Sequence, residues 1–430
     1  MKIAFWQIQR AILENIVPCK ARPLKNAGLS LLLLMGRHIC CAVTGRRASA
    51  VAMTTGRETG QMLNALTGFF RGLWGALRRS GNLLYTAVAW PFRARHSEAG
   101  KRAYIFRGSV ALIVLVLIAA YGQFLWRTQV WYGFDPAFAK AYGFADRKVA
   151  AGQQIADKPG TCQNSAIVTT VADLTDSNVN QNVWVSSTLL YKLGLFGMSW
   201  DDTPFFDNKA SFQRGINQVA RRVGIVLADD LGRVRGTSGI NTDLQDARGN
   251  IQFNEGTWYF GANPFGFKTP TPSYYRAAIT SWRGFNSDLE TCKAVFDARA
   301  DNLVKLLDGL ASDLGNTSDI LRRRSEEHNG GWFDTRADDR FWFAYGQLYG
   351  QYALFQAAKA DFIDVVRERN LTAIWAELEK QFEAALKVQP MIVSNGSEDG
   401  LFMPNHLSTM GFYTLRVRAN MVELRAVLQR

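Results

Sequence analysis

Cysteine and histidine are scarce in this chain: five Cys and four His among 430 residues. So few Cys exclude a small disulfide-stapled scaffold. So few His leave little material for a histidine-built metal enzyme. Familiar catalytic signatures are missing too. The sequence holds no GxxxxGK[ST] phosphate loop, HExxH pair, GxSxG elbow, CxxC or EF-hand loop. Acids are nearly absent from the first 107 positions, where Glu14, Glu58 and Glu98 face 17 Lys and Arg. What the chain does have is apolar mass. It is 47% hydrophobic, with 12 Trp, 13 Tyr and 27 Phe, which excludes a disordered or fibrous protein.

The net charge of +13 invites a nucleic-acid reading until it is divided. Residues 108–430 hold 33 basic and 34 acidic side chains, so the excess lies entirely upstream. The division falls where an uncharged run of 19 residues, 108–126, begins. At 1.5 Å per residue this run reaches about 28 Å, close to a bilayer's hydrocarbon core. Arg107 and Arg127 bracket it, and Tyr121, Trp126, Trp131 and Tyr132 supply a downstream aromatic belt. Arg93, Arg95, Lys101, Arg102 and Arg107 crowd the upstream side, against Arg127 and Lys140 downstream. The positive-inside rule then predicts a cytoplasmic N-terminus and a translocated C-terminal part. Anionic lipid, not nucleic acid, is the expected partner of the basic region.

Three regions follow from this. Residues 1–102 read as a basic cytoplasmic region, 103–127 as a transmembrane helix and 128–430 as a periplasmic helical domain. Within the first, Met62, Leu66, Phe69, Phe70, Leu73 and Leu77 predict a basic amphipathic helix over 61–79, lying in the membrane interface. Residues 31–35 are apolar but too few to span. Residues 1–52 hold three of the five Cys and no clear periodicity, and Met53 reads as the translation start.

Past the membrane, helical spacing dominates and strict alternation is rare. One apolar face runs through Phe212, Ile216, Val219, Val223 and Val226. Another is predicted to begin near Ser273 and to continue as a single helix to Leu314, through Phe285, Leu289, Cys292, Phe296, Leu303, Leu307 and Leu310. Its near-heptad spacing makes it a candidate seam for a homo-oligomer. Further helices are expected over roughly 336–369, around Trp375 to Ala385, and after Asn405. The fold class is therefore mainly α: a single transmembrane helix followed by an all-α bundle of long helices. Residues 232–270, rich in Gly, Asn and aromatics, form one irregular aromatic-rich insertion. A short hairpin is expected there, with 251–253 and 257–260 flanking Asn254, Glu255 and Gly256. Trp258, Phe265 and Phe267 are candidates for a partner surface, against the plainer reading that they cap the bundle.

Some of these residues carry a likeness. They are Gln252, Phe253, Asn254 and Trp258, the stretch Phe341, Trp342, Phe343, Ala344 and Tyr345, and the closing Asn395, Gly396, Ser397, Asn405 and His406. From about residue 103 to 430 the chain resembles an uncharacterised proteobacterial family of membrane-anchored proteins built on a domain of unknown function. The resemblance implies an inner-membrane anchor and a periplasmic domain in a Gram-negative cell. It transfers no catalytic residue.

Candidate chemistry is thin. Cys162 and Cys292 are the two cysteines past the span. In an oxidising periplasm an even pair suggests a disulfide, worth about 4–5 kcal/mol in the loop-entropy account. The other reading is a free buried thiol, since Cys292 falls on an apolar stripe. Asp334, Asp338 and Asp339 read as a solvated helix start, and Asp201, Asp202 and Asp207 as turn residues around Pro204. Asn405 reads as a cap before His406, Asn395 heads a glycosylation-like triplet by chance, and Gly346 and Gly350 permit close helix packing. No catalytic, cofactor or metal residue is nominated. The expected role is a non-enzymatic envelope scaffold or adaptor with an envelope protein as partner. The alternative is a periplasmic enzyme or ligand-binding module with a pocket between the helices and 232–270.

Overall fold

The computed structural model describes residues 101–430, apart from 196, 204, 234–238 and 263–264. The expectations for 61–79, for the upstream cysteines and for Met53 lie outside the described residues. The uncharged run sits inside α1, Lys101–Gln129. Of this helix, Ile105–Gln129 is long and apolar enough to cross a membrane. Leu112, Leu115 and Val116 stand bare on its surface.

The rest is built from α2 (Ala166–Asp176), α3 (Leu189–Leu193), α4 (Asn208–Val226), α5 (Thr242–Ile251), α6 (Thr271–Glu290), α7 (Ala300–Glu327), α8 (Ala337–Asp361), α9 (Ile363–Glu368), α10 (Thr372–Leu386) and α11 (His406–Leu428). A two-stranded antiparallel sheet, β1 (Phe260–Ala262) with β2 (Phe265–Phe267), precedes α6. The protein is thus mainly helical, with little strand.

The bundle forms around α8. Its residues are buried on nearly all sides, polar ones included, which marks an interior helix. It packs on α2, α4, α7, α10 and α11. The tightest crossing is with α4, and glycine makes it. A Cβ on Gly215 would lie 2.2 Å from the Phe343 carbonyl, and one on Gly346 would lie 2.2 Å from the Phe212 carbonyl. Here the two backbones touch. At the far end of α8, Asp361 is fully buried and reaches the start of α2. Its carboxylate accepts from the backbone N–H of Ala166 (2.7 Å) and Ile167 (2.9 Å), from Ser165 Oγ (2.6 Å) and from Arg147 (3.1 Å). A residue of one helix therefore satisfies the free N–H groups of another.

Two expected elements differ. The single helix from Ser273 to Leu314 is two helices, α6 starting at Thr271 and α7 starting at Ala300. Cys292 sits between them in the left-handed region, with φ of 58°, and is exposed rather than part of a stripe. The Asp297 N–H donates to the Leu231 carbonyl (2.8 Å), fixing the connection. Leu303, Leu307, Leu310 and Leu314 are fully buried inside the chain, and α7 packs mainly on α11. The leucines of the expected seam thus pack within the chain itself. The hairpin also moves. Ile251 ends α5, whose first turn is capped by Asn241 accepting from the Leu244 N–H. The paired strands lie further on, at β1 and β2. Glu255, expected in the turn, meets Asn217 (3.0 Å) and Arg221 (3.0 Å) instead. The region 232–270 is an insertion of one helix and one hairpin. Nearer to expectation, the helix of 336–369 ends at Asp361 and resumes as α9 after Phe362. Asn405 caps α11, accepting from the Ser408 N–H at 2.9 Å.

Candidate functional site

Buried polar groups gather where α4 and α8 begin. The glycine crossing draws the two N-termini together, so Asp207 and Ser211 lie near Asp338 and Asp339. Asp334, Asp338 and Asp339 are buried, so the acids at this helix start are not solvated as their sequence pattern predicted. Ser211 Oγ donates to Asp339 (2.5 Å), and the Phe205 and Asp339 N–H groups donate to Asp338 (3.1 and 3.2 Å). Asp207 has no hydrogen-bond partner on either carboxyl oxygen. Desolvation by burial raises the pKa of all three, and repulsion between the carboxylates adds to it. Asp338 is pushed up to about 7, and Asp207 keeps its proton at neutral pH.

Cations ring this cluster. Arg336 bonds Asp202 (2.9 Å) and approaches Asp339 (3.5 Å). Arg214 pairs with Asp201 (3.4 Å), and Tyr191 bonds both of them. None of the cavities described below is lined by Asp207, Asp338 or Asp339. Among the described residues no three His, Cys, Asp or Glu side chains are grouped to hold a metal ion.

A partly enclosed cavity of about 310 Å³ lies under the connection that leaves α1. Phe134, Phe138 and Tyr349 wall one side, with the Phe138 and Tyr349 rings stacked at 4.8 Å. Asp173, Asp176 and Arg283 wall the other. Tyr142 donates to Asp173 (2.9 Å), and Arg283 bridges Asp173 (3.3 Å) and Asp176 (3.6 Å). An aromatic wall facing a charged one suits a small ligand with one apolar and one polar face. Lys209 closes the base. Its ammonium donates to the carbonyls of Arg127 (2.9 Å) and Val130 (2.8 Å), capping α1, and burial lowers its pKa to about 8. Sequence reading missed this site. Trp131, expected in the lipid belt, packs on Phe212 (4.9 Å) and Trp342 (5.1 Å).

Two open clefts lie on the side of the insertion. One, about 920 Å³, is lined by Tyr191, Arg214, Arg221, Asn254 and Glu255, whose charges already pair with each other and their neighbours. The other, about 800 Å³, has the last turn of α1 (Trp126, Arg127) on one side and Trp258 and Tyr259 on the other. The three aromatics singled out by sequence separate here. Phe265 and Phe267 are 82% and 94% exposed on the hairpin, while Trp258 is half-buried against the cleft.

Elsewhere, Cys162 and Cys292 are joined through their sulfurs, with Cα atoms 5.3 Å apart. Asn395 is fully buried. Its amide donates to the Arg324 and His328 carbonyls and to Asp334, so it is no surface acceptor for a glycan. His406 Nδ1 accepts from the Ser394 N–H (2.9 Å), and burial lowers its pKa.

Comparison with known proteins now bears on the chain. A family model described as an uncharacterized protein conserved in bacteria (DUF2333) matches residues 108–330 and 323–430. The chain belongs to this family. The DUF2333 match starts where the uncharged run starts and reaches residue 430, so the apolar helix and the helical domain both fall within the family's matched region. No curated protein and no solved structure matches the chain.

Proposed function

We propose that this DUF2333 chain is a single-pass protein of a Gram-negative inner membrane. Its N-terminus is cytoplasmic and residues 128–430 are periplasmic. It works as an envelope scaffold or adaptor, not as an enzyme. The charge asymmetry about α1 supports this orientation, and the Cys162–Cys292 bond suits an oxidising compartment.

The observation that carries the scaffold reading is the hairpin. Phe265 and Phe267 project outward from strands that, among the described residues, pair with each other alone. Within the fold these rings meet Phe260 edge-on, at 4.9 and 5.9 Å, and otherwise face solvent. Each would release about 1.5–3 kcal/mol if a partner covered it. The hairpin's base shares a cleft with Trp126 and Arg127, so a partner must approach at the membrane surface. That favours another membrane-anchored envelope protein with an apolar face. The test is photocrosslinking in native membranes, with a benzophenone amino acid at Tyr259, comparing the native chain with F265A/F267A. Protein adducts lost in the variant, with its helical circular dichroism retained, are the expected result. Adducts that persist in the variant would refute the reading. Adducts only to lipid would make the hairpin a membrane-binding element.

A second reading, a ligand-binding module, is favoured by the cavity between Tyr349 and Arg283. It predicts a small molecule bound in native mass spectrometry of gently extracted protein, lost in F138R. It also moves the pocket away from 232–270, where sequence reading had set it.

A further inference from the structure

The helical domain does not begin where α1 leaves the hydrocarbon; it already grips the helix well before that point. Tyr121 donates its hydroxyl to the Gly194 carbonyl (3.1 Å), and the Phe124 ring lies 4.7 Å from that of Trp200. Phe124, Val185, Trp200 and Ala210 form a small core of their own, with Leu125, Leu190, Tyr191 and Leu195 packed against it. Gln129 donates to the Phe205 carbonyl (2.9 Å), and Lys209 caps the end of α1. These contacts fix the height of α3 and its following turn along the span.

That height decides the argument. Tyr121 lies six residues before Arg127, which is about 9 Å of helix. Were the domain wholly outside the bilayer, only residues 108–120 would remain for the hydrocarbon. They reach about 20 Å, against a core of roughly 30 Å. With the α3 segment inside, residues 108–126 are all available and reach about 28 Å. The segment has the composition for it. Residues 193–200 carry no charged side chain, and Leu193 and Met198 are 61% and 49% exposed. Lys192 and Asp201 bracket them, as charges bracket an interfacial apolar stretch.

We infer that α3 (Leu189–Leu193), together with Leu195 and Met198, seats in the acyl–headgroup boundary of the bilayer leaflet that faces the helical domain. The occupant of this apolar surface is phospholipid. The domain is then held to the membrane twice, by α1 and by this wedge, and its orientation on the bilayer is set. The inference rests on α1 spanning the membrane, as the proposed function has it.

The test uses the full chain reconstituted in phosphatidylethanolamine–phosphatidylglycerol vesicles. A benzophenone amino acid replaces, one at a time, Leu193, Met198, Leu115 and Glu368. Leu115 reports the span. Glu368 is exposed beyond the far end of α8, about 36 Å of helix from the Asp338–Phe205 contact. Irradiation followed by mass spectrometry should give lipid adducts from positions 115, 193 and 198 and none from 368. Adducts at 115 with none at 193 and 198 would overturn the wedge and leave the span standing. No adduct at 115 would overturn both. Equal yields at 193 and 368, or adducts from 193 and 198 to protein alone, would also overturn the wedge. Leu193 and Met198 are exposed, so folding is expected to survive both replacements, and circular dichroism checks it.

Discussion

Replacing Asp207 with Asn should stabilise this protein at neutral pH and leave it unchanged in acid. Asp207 is fully buried, its two carboxyl oxygens have no partner, and Asp338 and Asp339 repel its charge. The folded chain therefore keeps a proton that the unfolded chain releases near pH 3.8. Each pH unit above that value costs the native state about 1.4 kcal/mol, or about 4 kcal/mol by pH 7. The sign follows: a raised carboxyl pKa gives stability that is whole in acid and drains away as pH rises. Asn has nearly the same shape and never ionises. At pH 4 both side chains are neutral and unpartnered, and the proteins should agree within about 1 kcal/mol. At pH 7 the variant should be more stable by about 2–4 kcal/mol, the upper figure being the full linkage term. Urea unfolding of the full chain in mild detergent, followed by tryptophan fluorescence, measures both. A difference equal at pH 4 and pH 7, or a variant weaker at pH 7, would refute the reasoning. It would mean that the carboxylate is ionised in the native protein and paired with a cation.

Reduction, or C162S/C292S, should lower stability by about 3–5 kcal/mol, because the bond closes a loop of 130 residues. A thiol count on the unfolded, unreduced domain past the span should read zero. G346A should cost at least about 2–3 kcal/mol, since its new methyl meets the backbone of Phe212, which cannot turn aside. A neutral G346A in thermal unfolding would disprove the close crossing. F265A/F267A should cost no more than about 1–2 kcal/mol in thermal unfolding, as both rings stand largely in solvent and lose just their edge-on contacts with Phe260.

The helices were readable because apolar spacing is a local property. Phe341, Tyr345, Leu348, Tyr352 and Phe355 announced α8, and Asn405 announced the start of α11. The break between α6 and α7 was not readable. Leu289, Cys292, Phe296 and Leu303 keep helical spacing across it, and only the tertiary tie to Cys162 and Leu231 bends the chain away. The hairpin was misplaced for a similar reason. Asn254, Glu255 and Gly256 are good turn residues, but Glu255 is recruited by Arg221 from another helix. The acid cluster was misread because burial is set by packing. Asp338 and Asp339 look like a solvated first turn until α4 lies across them. The aromatic cavity left no sequence signal at all, since Phe138, Asp173, Arg283 and Tyr349 come from four distant stretches.

The cap that Asp361 places on α2 bears on the order in which the chain can be assembled. Synthesis delivers residues from the N-terminus onward, and Asp361 follows Ala166 by 195 positions. Until α8 arrives, the first two N–H groups of α2 lack the Asp361 carboxylate and α4 lacks the helix it crosses most closely, so the apolar faces both turn toward α8 stay open. The early helices must wait as exposed apolar chain beside the membrane, a state prone to wrong association. The last third of the sequence thus acts as the keystone of the first, and a truncation before residue 361 should yield no folded fragment.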